Sequence, residues 1–122
     1  MIGIIIIVAI AVLVFILLFV FKALKPKYLV LDAVAKTCEA FSCDRNAKNL
    51  EIPREVMIKG ETYKVVGVKD GAFSGCNVLV SVTLPDTVTR IGRGSFEHCH
   101  NLESITIPSS VESIGEGAFY DC

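Results

Sequence analysis

The chain has 122 residues, enough for one modest domain. Its 12 basic and 13 acidic side chains nearly balance, which argues against a nucleic-acid-binding protein, because such a protein needs a basic face. Three Tyr and no Trp leave little material for an aromatic binding platform.

The first element along the chain is an apolar segment, Ile2–Phe21, with no charged side chain in twenty residues. As an α-helix it would span roughly 30 Å, which matches the hydrocarbon core of a bilayer. Three lysines between positions 22 and 27 would then lie at the membrane interface. A cleaved signal peptide is the alternative, but a basic start and a small-x-small cleavage site are missing. We therefore predict a transmembrane anchor with a basic flank over residues 1–27, with the lipid bilayer as its partner.

The sequence leaves open the side of the membrane on which the remaining chain lies. Because the lysines follow the apolar segment, the positive-inside rule favours the cytoplasm. Without residues 1–27 the chain keeps nine basic and thirteen acidic residues, so this part is mildly acidic and soluble in character.

The next segment, residues 28–49, is not repetitive. Tyr28–Asp32 and Thr37–Phe41 are typical of extended runs around a small turn, and a further turn is predicted at residues 44–46. We predict a β-hairpin that caps the N-terminal end of the following domain, close to the bilayer.

A 23-residue repeat occupies the rest of the chain. Residues 77–99 (NVLVSVTLPDTVTRIGRGSFEHC) and 100–122 (HNLESITIPSSVESIGEGAFYDC) align without a gap. An interrupted copy at 50–76 has its first half displaced by nine residues, and its insert carries a turn signal at residues 59–61. A repeat this short must stack on copies of itself to bury its apolar side chains. The predicted inward positions are Leu79, Val82, Leu84, Phe96 and Cys99 in one copy and Leu102, Ile105, Ile107, Phe119 and Cys122 in the next.

Each copy predicts one coil of a solenoid. The spacing L-x-x-I-x-I gives a short extended segment that Pro108 ends, and Gly115 and Gly117 allow a tight corner. The predicted fold is therefore a mainly β solenoid, with short strands and tight turns or 3-10 segments, preceded by one transmembrane α-helix.

The pattern L-x-x-[IV]-x-[IL]-P-x-x-V-x-x-I-G-x-G-[AS]-F-x-x-C resembles the BspA-like class of leucine-rich repeats, over residues 50–122. The resemblance implies a right-handed leucine-rich-repeat solenoid with a binding or adhesive role and no shared catalytic residues. The class is found in many bacterial surface proteins, which favours the cell surface for the repeats. About three coils are usually needed for a stable stack, so we expect a fragment of a longer repeat protein, or another chain covering the last coil.

Five cysteines raise the question of redox or metal chemistry. Cys76, Cys99 and Cys122 recur at the repeat period, which predicts a buried ladder of thiols, one per coil. Cys38 and Cys43 are five residues apart, so a disulfide between them would need a bend in the strand.

The pattern His98-Cys99-His100 has the residue types of a metal site. Cys99 is predicted to point inward and the histidines outward, and no further ligand is placed by the sequence. The Gly-x-Gly pairs at 92–94 and 115–117 lack the remainder of a phosphate-binding loop. With no Ser/His/Asp triad or paired carboxylates, the sequence predicts no enzyme, no cofactor and no metal site.

The outward residues of the repeat are the candidate binding face, with a merely solvated polar surface as the alternative. The leading hypothesis is a membrane-anchored interaction or adhesion module that binds a protein or glycan there. The alternative is a cytoplasm-facing membrane-anchored scaffold that self-associates end to end through its uncapped coil. The candidate face comprises Val80, Ser81, Thr83, Glu103, Ser104 and Thr106.

Overall fold

A computed structural model describes residues 27–33, 35–42 and 44–122 of the chain. This part consists of short β-strands joined by tight turns, and it contains neither an α-helix nor a 3-10 segment. The strands are β1 (Lys27–Asp32), β2 (Thr37–Ser42), β3 (Asn49–Glu51), β4 (Glu55–Ile58), β5 (Glu61–Val68), β6 (Ser81–Thr83), β7 (Arg90–Ile91), β8 (Ser104–Thr106) and β9 (Ser113–Ile114).

The strands form two sheets that run along the stack of coils. One sheet has the parallel order β2-β5-β7-β9, with β1 antiparallel to β2 and β4 antiparallel to β5. The second sheet has the parallel order β3-β6-β8. The predicted β-solenoid is confirmed, and each complete coil contributes one strand to each of the two sheets.

Neighbouring coils are held in the register of the 23-residue repeat. Val82 in β6 lies opposite Ile105 in β8. The turns pair in the same way, since the Phe96 amide donates to the Ala118 carbonyl at 2.8 Å. Equivalent positions therefore stack on one another, which is how a unit too short to have its own core acquires one.

A β-hairpin interrupts the first repeat. β4 and β5 pair around Lys59 and Gly60, which both have a positive φ, at 51° and 81°, as the two central residues of a tight hairpin turn require. This confirms the turn predicted for residues 59–61. Leu50 nevertheless lies opposite Val82 across β3 and β6, so the displaced half keeps its place in the stack.

One phenylalanine from each coil stacks on the next in the centre of the solenoid. The ring centroids of Phe73 and Phe96 are 5.2 Å apart, and those of Phe96 and Phe119 are 5.5 Å apart with rings almost parallel. Phe73 and Phe96 are fully buried. Burial of such a ring contributes about 1.5–3 kcal/mol, so this column is a principal source of stability.

Two of the three repeat cysteines are buried as the predicted ladder requires, whereas Cys122 in the last coil is exposed. Cys76 and Cys99 are buried, and neither forms a disulfide. The thiols of Cys99 and Cys122 donate to the carbonyl of the phenylalanine 26 residues earlier, at 3.2 and 3.1 Å. Burial raises the pKa of the Cys99 thiol to about 11, so this thiol stays protonated at neutral pH.

The last coil is exposed where the preceding coil is covered. Leu84 and Ile91 are 7% and 0% exposed, whereas Ile107 and Ile114, one repeat later, are 41% and 49% exposed. The inward positions of coil 77–99 are all buried, namely Leu79, Val82, Leu84, Phe96 and Cys99. In coil 100–122, Leu102, Ile105 and Phe119 are partly buried, while Ile107 and Cys122 are exposed, because no described residue packs on their far side.

Two predictions concern residues that the structure does not describe. The proposed anchor Ile2–Phe21 lies outside the described residues, and so does Cys43, the suggested disulfide partner of Cys38. Within the described ranges, no helix has the length and apolar character needed to cross a bilayer.

Candidate functional site

The sheet formed by β3, β6 and β8 presents a polar face to solvent. The middle residue of each strand points inward, and Leu50 and Val82 are each 3% exposed. Because side chains alternate along a strand, the flanking residues point outward and form two columns across the coils. Asn49, Ser81 and Ser104 form the first column, and Glu51, Thr83 and Thr106 form the second.

The structure brings the six residues of the candidate face together at this sheet. Four of them, Ser81, Thr83, Ser104 and Thr106, hold the outward strand positions. Val80 and Glu103 immediately precede β6 and β8, where the Glu103 amide donates to the Val80 carbonyl at 2.9 Å.

Sequence reasoning missed two members of the face, Asn49 and Glu51. They belong to the half-repeat that the hairpin displaces by nine residues, and they lie opposite Ser81 and Thr83. The signal was available, since residues 50–53 (LEIP) carry the same apolar and proline positions as residues 82–85 (VTLP). Shifting the repeat by nine residues would have assigned both to the face.

Short hydroxyl, amide and carboxylate side chains dominate this face. The Ser81 hydroxyl donates to Asn49 Oδ1 at 2.7 Å, which ties the first two strands together at the surface. The serine, threonine and asparagine side chains have little rotamer entropy to lose and can both donate and accept hydrogen bonds, whereas the glutamate carboxylates only accept. The face is therefore suited to binding a polar surface.

A second surface lies over the turns, on the opposite flank of the repeat. It is a groove with equivalent residues repeated from coil to coil. Asp70, on its rim, accepts hydrogen bonds from the Arg93 amide at 2.9 Å and from the Arg90 guanidinium, and these contacts lower the pKa of its carboxyl group. Sequence reasoning treated the region as turns only. The groove is lined by Asp70, Gly71, Ser74, Arg93, Gly94, Glu97, Glu116, Gly117 and Tyr120.

A cluster of two histidines and an aspartate lies where the last two coils meet. His98 and His100 flank the buried Cys99 and are exposed, as predicted. Asp121 Oδ2 lies 3.0 Å from His98 Nδ1 and 3.1 Å from His100 Nε2, and these hydrogen bonds lower the pKa of its carboxyl group. Imidazole and carboxylate groups in this arrangement are able to hold a metal ion.

Asp121 is the residue of this cluster that sequence reasoning did not place. It follows His98 by 23 residues and therefore occupies the same position in the next coil. The repeat period places Asp121 beside His98, whereas the pattern within a single coil does not include it.

The fold and its surfaces define a class of protein: a β-solenoid built from leucine-rich repeats that carries its exposed polar residues in columns. Residues 37–122 match the family model described as "BspA type Leucine rich repeat region", with six copies. The chain belongs to this family. The match begins at residue 37 rather than 50, in keeping with the parallel pairing of β2 with β5.

Solved bacterial leucine-rich-repeat proteins share the fold. A leucine-rich repeat protein from Bacteroides ovatus is 34% identical with a TM-score of 0.74, and the alignment covers 80% of this chain and 26% of that one. A leucine rich cell surface protein from Faecalibacterium prausnitzii is 32% identical with a TM-score of 0.71, over 80% of this chain and 27% of that one. A T. pallidum leucine-rich repeat protein is 29% identical with a TM-score of 0.69, over 80% and 43%.

The chain thus spans about a quarter of the length of the first two structures. No curated protein matches it. Members of this repeat class are generally protein-interaction or surface modules, and their fold is typically a non-catalytic scaffold.

Proposed function

We propose that this chain is a membrane-anchored interaction or adhesion module, which binds a protein or glycan partner through the outward face of β3, β6 and β8. The observation that carries the proposal is the in-register alignment of exposed polar side chains across three strands. A contiguous face of this kind offers many hydrogen-bonding groups in fixed positions. Because the face is already ordered, the protein loses little conformational entropy when a partner binds.

Arginine substitutions test the face. The full chain in detergent is assayed against immobilised glycans and purified surface proteins. The double variant Thr83→Arg/Thr106→Arg places long charged side chains in the second column of the face. We expect it to weaken binding roughly tenfold or more, as for the loss of a well-packed contact.

The matched control is Thr62→Arg/Ser113→Arg, two exposed hydroxyl residues in the other sheet. The control is expected to bind as the parent chain does. Equal binding by both double variants and the parent would place the binding surface elsewhere and refute this use of the strand face.

We further propose that the repeats lie on the cell surface, tethered by Ile2–Phe21. A cysteine introduced as Ser104→Cys lies on the exposed face and is probed on intact cells with a membrane-impermeant maleimide. The exposed Cys122 and the undescribed Cys43 are first replaced by serine, because either would add background. Labelling that requires permeabilised cells would place the repeats in the cytoplasm instead.

A second candidate function is a scaffold that self-associates end to end, on the cytoplasmic side. The exposure of Ile107 and Ile114 on the last coil favours it, because covering apolar side chains stabilises an assembly. Ile107→Glu/Ile114→Glu should then reduce the mass of the full chain in sedimentation to that of a monomer. Met57→Glu, an exposed apolar residue on the hairpin strand β4, is the control, and a parent chain that is already monomeric would exclude this scaffold.

A further inference from the structure

The two histidines and Asp121 form a compact group of ligand atoms away from the strand face. One nitrogen from each histidine and one carboxylate oxygen all lie within 4.8 Å of one another. The side chains of His98, His100 and Asp121 are 46%, 54% and 56% exposed. Water and ions therefore have direct access to the point on which the three atoms converge.

The two separations between Asp121 and the histidines are close to those around a small tetrahedral ion. With bonds of about 2.0 Å to nitrogen and oxygen, two ligands of tetrahedral zinc lie roughly 3.3 Å apart. Asp121 Oδ2 is 3.0 Å from His98 Nδ1 and 3.1 Å from His100 Nε2. Both separations need to widen by only a few tenths of an ångström.

The His100 nitrogen that faces away from this point also has an oxygen partner. His100 Nδ1 lies 2.9 Å from Asn77 Oδ1, and His98 Nε2 lies 3.7 Å from Glu97 Oε1. In metal sites a ligating histidine usually donates its other N–H to such an oxygen, which orients the ring and selects the nitrogen that binds the metal. Each of the two rings thus has one nitrogen beside Asp121, and the other nitrogen of His100 has an acceptor, whereas Glu97 lies beyond hydrogen-bond distance of His98.

The backbone holds the ligands in place. His98 and Asp121 occupy equivalent positions in successive coils, and both have a left-handed φ, at 57° and 56°. The His98 amide donates to the Tyr120 carbonyl at 2.8 Å, which pairs the two turns directly beside the cluster. The geometry is therefore fixed by the stacking of coils and not by a free loop.

We propose that His98, His100 and Asp121 bind one zinc ion, with water at the remaining position. Two imidazoles and one carboxylate are a ligand set that zinc accepts. The ion would join the turn at residues 98–100 to Asp121 and so fasten coil 100–122 to coil 77–99. Zinc bound to the folded chain stabilises it by mass action.

The test is a calorimetric titration of the full chain with zinc chloride, in detergent and without a histidine tag. Cys122 is replaced by serine throughout, because an exposed thiol next to Asp121 is itself a zinc ligand. We expect one zinc per chain and a higher melting temperature with zinc. Asp121→Asn and His98→Asn should each weaken binding roughly tenfold or more and abolish the thermal shift.

Asparagine is chosen because it tolerates the left-handed backbone of these two positions, so the variants should fold without zinc as the parent does. Asp86→Asn, an exposed aspartate paired with Arg54, is the matched control and should bind zinc as the parent does. A parent chain that takes up no zinc, or an Asp121→Asn variant that binds it equally well, would overturn the proposal.

Discussion

The guanidinium of Arg90 lies 3.2 Å from the carboxylate of Glu39, although the two residues are 51 positions apart in the chain. The Glu39 side chain is 11% exposed, and that of Arg90 is 43% exposed. Arg90 also pairs with Asp70. One arginine in β7 therefore joins β2, which begins the parallel sheet, to the turn after β5.

Loss of this arginine should destabilise the stack. In Arg90→Met the nearly buried Glu39 carboxylate keeps no arginine partner, and a buried charged group without its partner costs about 1–3 kcal/mol. Arg54→Met is the matched control, because Arg54 and Asp86 are 69% and 65% exposed and such pairs contribute about 0–1 kcal/mol. Urea unfolding followed by tyrosine fluorescence measures both, and equal losses would contradict the role assigned to Glu39.

Substitution in the phenylalanine column should lower the free energy of unfolding most at the centre of the column. Phe96 packs between two rings and is fully buried, whereas Phe119 is partly buried and stacks on one side. We expect Phe96→Ala to lower the free energy of unfolding by about 3–5 kcal/mol and Phe119→Ala to cost less. A larger loss at Phe119 than at Phe96 would show that the last coil is covered in solution.

Two glycines should respond differently to the same substitution. A Cβ at Gly92 would lie 2.6 Å from the Lys69 carbonyl carbon of the preceding coil, whereas a Cβ at Gly71 would meet nothing within 4 Å, although φ there is 66°. Asparagine tolerates a positive φ, so Gly71→Asn should be mild. Gly92→Asn must push two coils apart, at a cost of about 1–3 kcal/mol or more. The unfolding midpoints of the two variants measure this difference. A smaller loss for Gly92→Asn than for Gly71→Asn would contradict this packing.

Stability should decline in alkaline solution. Burial, with a smaller effect of Glu39, raises the pKa of the Cys38 thiol from 9.0 to about 11, and burial also raises the pKa of Tyr28. The folded state therefore binds more protons than the unfolded state above pH 9, so the free energy of unfolding falls as the pH rises from about 9 to 11.

The alanine variant of Cys38 separates the thiol from the phenol. Cys38→Ala should show a shallower fall between pH 9 and 11, with the remainder due to Tyr28 and to the buried Cys99 thiol. Cys122→Ala is the control, since its thiol is exposed, and its pH profile should follow that of the parent chain. A Cys38→Ala profile identical to the parent's would mean that burial does not raise the pKa of the Cys38 thiol.

The repeat period predicted most of the interior, because a core made by stacking requires the same residue type at the same position of each coil. Leu79, Val82 and Phe96 are buried where the alignment placed them. The exposure of Ile107 did not follow from the pattern, since a periodic sequence does not state how many neighbours each coil has.

The surfaces were harder to predict than the core. Outward positions are free to vary, so Asp121 and the residues Asp70, Arg93 and Glu116 of the groove leave no periodic signature of residue type. Gly115 illustrates a second limit. Its place in a tight corner was predicted, but the reason is the backbone of Arg93 in the neighbouring coil, whose Cα would lie 2.6 Å from an added Cβ, and the positive φ belongs to Gly117 instead.

The register of the coils has a consequence for how such a chain can change its length. The hydrogen bonds from Thr89 to Val66 and from Arg93 to Asp70 each span 23 residues. Duplication of one 23-residue segment would therefore add a coil whose bonds to its neighbours are of kinds the molecule already makes. The solenoid can therefore lengthen by duplication of a gene segment, while the residue type at each new outward position is free to diverge.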